Sequence, residues 1–130
     1  MKKRILFYDY EDIIQIHKIN GYEFGIKQGL RDLKALENMC DGARNVAEEL
    51  DREMRLYKIA AFYACRVKES EPFNHGNART ALLVAIFFLY INGIDLKSDP
   101  KIAEAVVGGE GKAIDPLEFE QVLRHASQSS

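Results

Sequence analysis

The sequence predicts an all-α fold: one compact domain, residues 1–130, of about six helices arranged around a buried central helix. Three observations lead there. Apolar residues recur at three- and four-residue steps through most of the chain, the period of a helix with one buried face. Asp, Asn and Pro mark the starts of these stretches, and Gly or Asn-Gly marks their ends. No alternating strand pattern of weight and no internal repeat is present.

At 130 residues and 47% hydrophobic, the chain suits a single domain with a sizeable core. A net charge of -2, with no block of lysine and arginine, argues against binding nucleic acid or an anionic membrane by electrostatics. Cys40 and Cys65 both fall in helical patterns. With no secretory signal they read as reduced core residues, and a cytoplasmic protein is expected. Ala81 to Ile91 is uncharged, but its 11 residues fall well short of the ~20 needed to span a bilayer, so it is a core helix.

In chain order, Arg4 to Tyr8 is a short extended or tucked-in segment. Asp9 offers an N-cap to a first helix carrying Tyr10, Ile13, Ile14 and His17 on one face, which Asn20-Gly21 should stop. His17 has no partner at metal-ligand spacing and reads as a packed histidine. Gly21 to Gly29 holds three glycines in nine residues and is expected to be a loop. Asp32 then caps a second helix that should bury Leu33, Leu36, Met39 and Cys40 and fade at Asp41-Gly42.

A long third helix is expected from Arg44 to about Lys68, with Val46, Leu50, Met54, Tyr57, Ala61, Ala64 and Cys65 on its buried stripe. Its other face carries a solvated charge run with i,i+4 pairs such as Glu48 to Arg52. Tyr57, Phe62 and Tyr63 read as core, although one of them could flank a pocket beneath the loop that follows. Pro72 ends this helix. The central helix, Asn77 to Asn92, is apolar almost all round, so the others must wrap it. Asp99-Pro100 opens a short fifth helix that stops at Gly108-Gly109, and Gly109 to Ala113 is a flexible loop. Asp115-Pro116 starts the last helix, with Glu118 placed for a capping box and Leu117, Val122 and Leu123 buried, before a frayed tail.

Chemistry concentrates between Ser70 and Thr80. A polar loop marked by Pro72 and Gly76 empties into the central helix, whose first N–H groups lack internal acceptors and whose dipole favours negative charge. Arg79 in the opening turn is disfavoured by that dipole, which suggests an anion held beside it. The alternative is an internal salt bridge to Glu69 or Glu71.

The run Glu71-Pro72-Phe73-Asn74-His75-Gly76-Asn77-Ala78-Arg79-Thr80 resembles the active-site motif of the Fic/Doc family, H-P-F-x-[D/E]-G-N-[K/G]-R-T. The segment from Thr80 to Asn92-Gly93 is similar to the helix that follows the motif in the Doc (death-on-curing) branch. Gly29-Leu30-Arg31-Asp32 with Ala35-Leu36-Glu37 resembles another Doc stretch, one that covers the active-site side. Three motif positions depart: Glu71 replaces the catalytic His, His75 the acidic residue, and Ala78 the Lys or Gly.

The resemblance implies an all-α fold and transfer of AMP or of phosphate from ATP or another nucleoside triphosphate to a protein hydroxyl, with Mg2+ assisting. It places Glu71 where the base should be and His75 where the metal-binding carboxylate should be, so no metal ligand is assigned. It makes Phe73 the buried anchor and Gly76, Asn77 and Arg79 the phosphate cradle, with Asn74 and Thr80 alongside as substrate-binding positions. A target protein, or an antitoxin peptide encoded nearby, would be the partner. Glu in place of His lowers the ordinary pKa by ~2 units, or ~3 kcal/mol of proton-accepting power, a fall of about a hundredfold in rate unless burial and nearby phosphates compensate. A role swap, with His75 as base and Glu71 as metal carboxylate, is one way to retain catalysis. Decay of the pair into a pseudoenzyme that only binds a partner is another outcome, and a plain structural helical domain a third.

Overall fold

The computed structural model describes residues 4–24, 29–107 and 113–128. The described residues form six helices and no strand: α1 Tyr10–Phe24, α2 Leu33–Ala43, α3 Arg52–Ser70, α4 Asn77–Ile91, α5 Pro100–Val107 and α6 Pro116–Gln128. The all-α expectation and the central helix both hold. α4 packs against α3 most extensively, and also against α1 and α5, while α6 closes over α3 and α5.

The centre of the core is aromatic. Phe88, fully buried on α4, meets Tyr63 of α3 and Tyr8 of the N-terminal segment with ring centroids 5.3 and 5.8 Å apart. Tyr8 donates its hydroxyl to Val84 O (2.7 Å), and its amide donates to the Tyr63 hydroxyl (3.1 Å). Asn92 exchanges hydrogen bonds with Leu6 through both ends of its side-chain amide, at 2.8 and 3.1 Å. The segment before α1 is thereby tied along α4. Burial pushes both tyrosine hydroxyls above their ordinary range, so they stay protonated, Tyr8 donating and Tyr63 accepting. Cys40 and Cys65 are free and buried, their thiols pushed up to about 12 and about 11, chiefly by desolvation.

α4 ends where Asn92-Gly93 predicts. Ile94 N–H reaches Leu89 O (2.8 Å) and Gly93 N–H reaches Tyr90 O (3.1 Å), with Gly93 at φ +93, a paired closure that needs a left-handed residue at that position.

Several expectations fail, each for a local reason. α1 does not stop at Asn20-Gly21 but runs to Phe24. Gly21 is buried within it, and a cost of about 1 kcal/mol for a helical glycine is small beside the burial of Ile13, Ile16 and His17. Residues 25–28 of the expected loop, and 108–112 of the later one, lie outside the described residues.

The third helix begins at Arg52, not Arg44. Ala47 takes φ +46, a left-handed conformation that breaks a helix, and Asp51 caps the new start by accepting from Met54 N–H (3.0 Å). Arg55 clasps the intervening turn, donating to Val46 O (3.0 Å) and Arg44 O (2.6 Å). Glu48 therefore stands off the helix, and the expected Glu48 to Arg52 pair has no helical geometry. Met54, Leu33 and Leu117 are exposed, and α6 buries Phe119, Leu123 and Ala126 instead. The central helix is not wrapped all round: Phe87, Tyr90 and Ile91 reach solvent. No described helix is long and apolar enough to cross a membrane.

Candidate functional site

The segment joining α3 to α4 is braced from two sides. On one side, residues 29–32 lie against it. Leu30 and Phe73 form an antiparallel bridge, Asn74 N–H donates to Gly29 O (2.9 Å), and Pro72 O accepts from both Arg31 N–H (2.7 Å) and Asp32 N–H (3.0 Å). The Arg31 guanidinium caps the end of α3 through Glu71 O (2.7 Å) and Ser70 O (2.6 Å), a cation at the negative end of a helix. Gly29 is at φ +154, a conformation that side-chain-bearing residues rarely adopt, and a Cβ there would also displace the end of the Asn74 side chain, 2.3 Å away at Nδ2.

On the other side stands His17 of α1. Its ring stacks on Phe73 with centroids 3.8 Å apart and planes 3° from parallel, and Nε2 lies 2.8 Å from His75 O. His17 is 2% exposed, so the stack is a buried wedge under the loop. Within the loop, Asn77 joins both ends of its side-chain amide to Phe73: Oδ1 accepts from Phe73 N–H (3.0 Å) and Nδ2 donates to Phe73 O (2.8 Å). The turn is thereby fixed before any ligand arrives.

These contacts divide the residues singled out from the sequence. Glu71, Asn74, His75 and Arg79 are exposed, and Gly76, Asn77 and Ala78 are half-buried. Phe73 and Thr80 lie in the core, at 2% and 0% exposure, and support the loop from beneath. The Thr80 hydroxyl has no hydrogen-bond partner. Glu69, one of the two carboxylates considered for Arg79, pairs with Arg66 at 3.6 Å. Glu71 itself takes a left-handed conformation, φ +45 and ψ +61, at the end of α3, a strained position for a side-chain-bearing residue.

The mouth of α4 differs from every other helix start. Asp9, Asp32, Asp51, Asp99 and Asp115 each accept from a backbone N–H in the first turn of α1, α2, α3, α5 and α6. α4 instead starts at Gly76, left-handed at φ +77, with no side-chain cap. Its opening amides and the positive end of its dipole therefore lie beside the exposed motif side chains without a resident carboxylate, an arrangement suited to an oxyanion. Among the described residues no group of three or more His, Cys, Asp or Glu side chains is placed to hold a metal ion.

Two residues of the site lie outside the Glu71 to Thr80 motif, His17 and Arg31. A lone histidine on an apolar stripe gives no hint that it wedges a loop 58 positions away. Arg31 is better marked, because it lies in the Gly29 to Asp32 stretch that resembles the Doc pattern.

An all-α core, a braced loop and an uncapped helix mouth make up the architecture expected of the Fic/Doc family, and the chain belongs to that family: residues 7–89 match the Fic/DOC family, a span that includes the whole motif. Among individual proteins it is similar to the protein kinase doc of Escherichia phage P1. The two are 29% identical over 116 residues, which cover 88% of this chain and 90% of that protein.

Proposed function

We propose that this chain is a Doc-like toxin module that holds the phosphates of a nucleoside triphosphate at the mouth of α4 and transfers phosphate, or AMP, to a protein hydroxyl at a reduced rate. The observation that carries the reading is the missing cap: five helices begin on an aspartate, and the one that follows the motif begins on Gly76. A carboxylate there would compete with phosphate for the same amides. Similarity to a phage protein kinase over most of both chains supports phosphate as the transferred group.

In this reading the amides of Asn77 and Ala78 and the guanidinium of Arg79 hold phosphate oxygens, and Asn77 keeps the turn in shape through Phe73. The nucleotide would supply the transferred group, releasing the nucleoside diphosphate when its γ-phosphate is transferred or pyrophosphate when AMP is. The hydroxyl proton of the target passes to Glu71 or His75, the two exposed groups of the motif able to accept it. Glu71 is the motif's single carboxylate, and Mg2+, which prefers oxygen ligands, would rest on it together with phosphate oxygens, since an imidazole at His75 is a poor partner for so hard a cation. That division of donors favours His75 as the base. Ala78 provides no cation where Doc-type proteins place one, so phosphate charge is less well neutralised.

A second reading, a pseudoenzyme that grips a protein target or an antitoxin-like peptide without chemistry, draws on the same Ala78 and on the full commitment of the Asn77 side chain to the loop. Labelling separates the two. The protein is incubated with a cell lysate and a nucleoside triphosphate labelled at the γ or the α phosphate, with and without Mg2+. Catalysis predicts label on a protein, lost in Arg79→Ala and in His75→Ala, with γ-label marking phosphate transfer and α-label AMP transfer. Label that appears only with the Glu71→His, His75→Asp double variant would establish the pseudoenzyme.

A further inference from the structure

Beyond the far end of α4 from the motif lies a concavity of about 540 Å3 between the N-terminal segment, the 44–50 turn and the start of α3. Arg4, Arg44, Arg52 and Arg55 border it against one carboxylate, Asp51. That carboxylate is engaged with Met54 N–H as the helix cap. Among the described residues no carboxylate lies within salt-bridge reach of Arg4, Arg44 or Arg55. In a chain of net charge -2, so concentrated a positive field is a local feature.

The basin is also built. Arg55 is fixed by its bonds to Val46 O and Arg44 O, and the guanidinium carbons of Arg44 and Arg55 lie 4.9 and 5.6 Å from the centroid of the Phe7 ring. Arg52 donates to Asn92 O (3.1 Å), the residue that caps the C-terminus of α4. Two of the forks are therefore oriented before a ligand arrives, which lowers the entropic cost of gripping a planar anion. Between the arginines lie three apolar side chains, Ile5, Phe7 and Leu50.

We propose that this basin binds a short acidic peptide segment of a partner protein, its carboxylates on the arginine rim and one apolar side chain against Ile5, Phe7 and Leu50. An inorganic phosphate or polyphosphate would satisfy the rim and leave the apolar floor unused. A basic peptide is repelled by the rim, and a purely apolar one would leave the positive charge of the rim unneutralised. α4 is 15 residues long, so the basin stands roughly 22 Å from the loop, and its occupancy is independent of whether the motif turns over.

Fluorescence anisotropy with a labelled acidic peptide carrying one central leucine tests this. Binding is expected to weaken as salt is raised and to fall about tenfold or more in Arg4→Glu and in Arg44→Glu, both exposed positions, with circular dichroism confirming that each variant folds. Replacing the peptide's leucine by serine should weaken it too, while Gly76→Asp, at the motif, should leave it unchanged. Affinity in the two charge-reversed variants equal to that of the natural protein overturns the proposal. So does loss of binding in Gly76→Asp, or displacement of the peptide by inorganic triphosphate at concentrations where equal ionic strength from sodium chloride has no effect.

Discussion

His17 shows how much of this site depends on one buried side chain that lies outside the motif. Its stack on Phe73 and its bond to His75 O wedge the loop from the core side. Replacing it by Ala leaves a cavity beside Phe73 and removes the hydrogen-bond partner of His75 O, a combined cost of about 2–4 kcal/mol. His17→Phe keeps the stack and loses only the hydrogen bond, so it should cost about 1 kcal/mol. Urea unfolding of both variants reads the difference, which is the contribution of the stack and its packing; equal costs would show that the stack contributes nothing, and no cost in His17→Phe would show the same of the hydrogen bond. Amide exchange at residues 73–76 should quicken in His17→Phe without global destabilisation if the bond holds the loop in place.

At the scale of elements, the turn between α2 and α3 carries the most information. Ala47 at φ +46 is held there by the Arg55 clasp and by the competing cap at Asp51, at a cost of about 1–2 kcal/mol for a residue with a Cβ. Ala47→Gly should therefore stabilise the protein by about 1 kcal/mol, seen as a higher denaturant midpoint, and a lower midpoint would contradict the assignment of strain. This turn was invisible in the sequence for a clear reason. Val46, Leu50, Met54 and Tyr57 continue a helical period straight through it, and what breaks the helix is an arginine reaching back to two carbonyls. The opposite error occurred at Asn20-Gly21, a strong stop signal overridden by packing of α1 on α4. Caps supplied by the chain itself were legible, as Asp9, Asp32, Asp99 and Asp115 each start the helix expected of them. The motif loop was legible as a loop, but the division of its residues into exposed Glu71, Asn74, His75 and Arg79 and buried Phe73 and Thr80 was not, since it depends on α1 and residues 29–32 closing around it.

For the molecule as a whole, a very apolar helix identified the centre of the fold, yet apolarity alone overstated its burial. Phe88 is fully enclosed and meets three aromatic rings, whereas Tyr90, two positions on, is 63% exposed. Phe88→Ala should cost about 3–5 kcal/mol and Tyr90→Ala less than about 1, a contrast that thermal or urea unfolding will resolve. The same helix links the two ends of the molecule, with phosphate expected at its mouth and the arginine basin at its foot.

The claim on which the functional reading turns is that the uncapped mouth of α4 receives phosphate, and calorimetric titration with ATP and GTP, with and without Mg2+, tests it most directly. Gly76→Asp gives α4 the carboxylate that the other five helices already have. Nucleotide binding by the natural protein that falls about tenfold or more in a folded Gly76→Asp variant is the predicted result. Absence of binding in the natural protein, or equal affinity in the variant, would contradict the account.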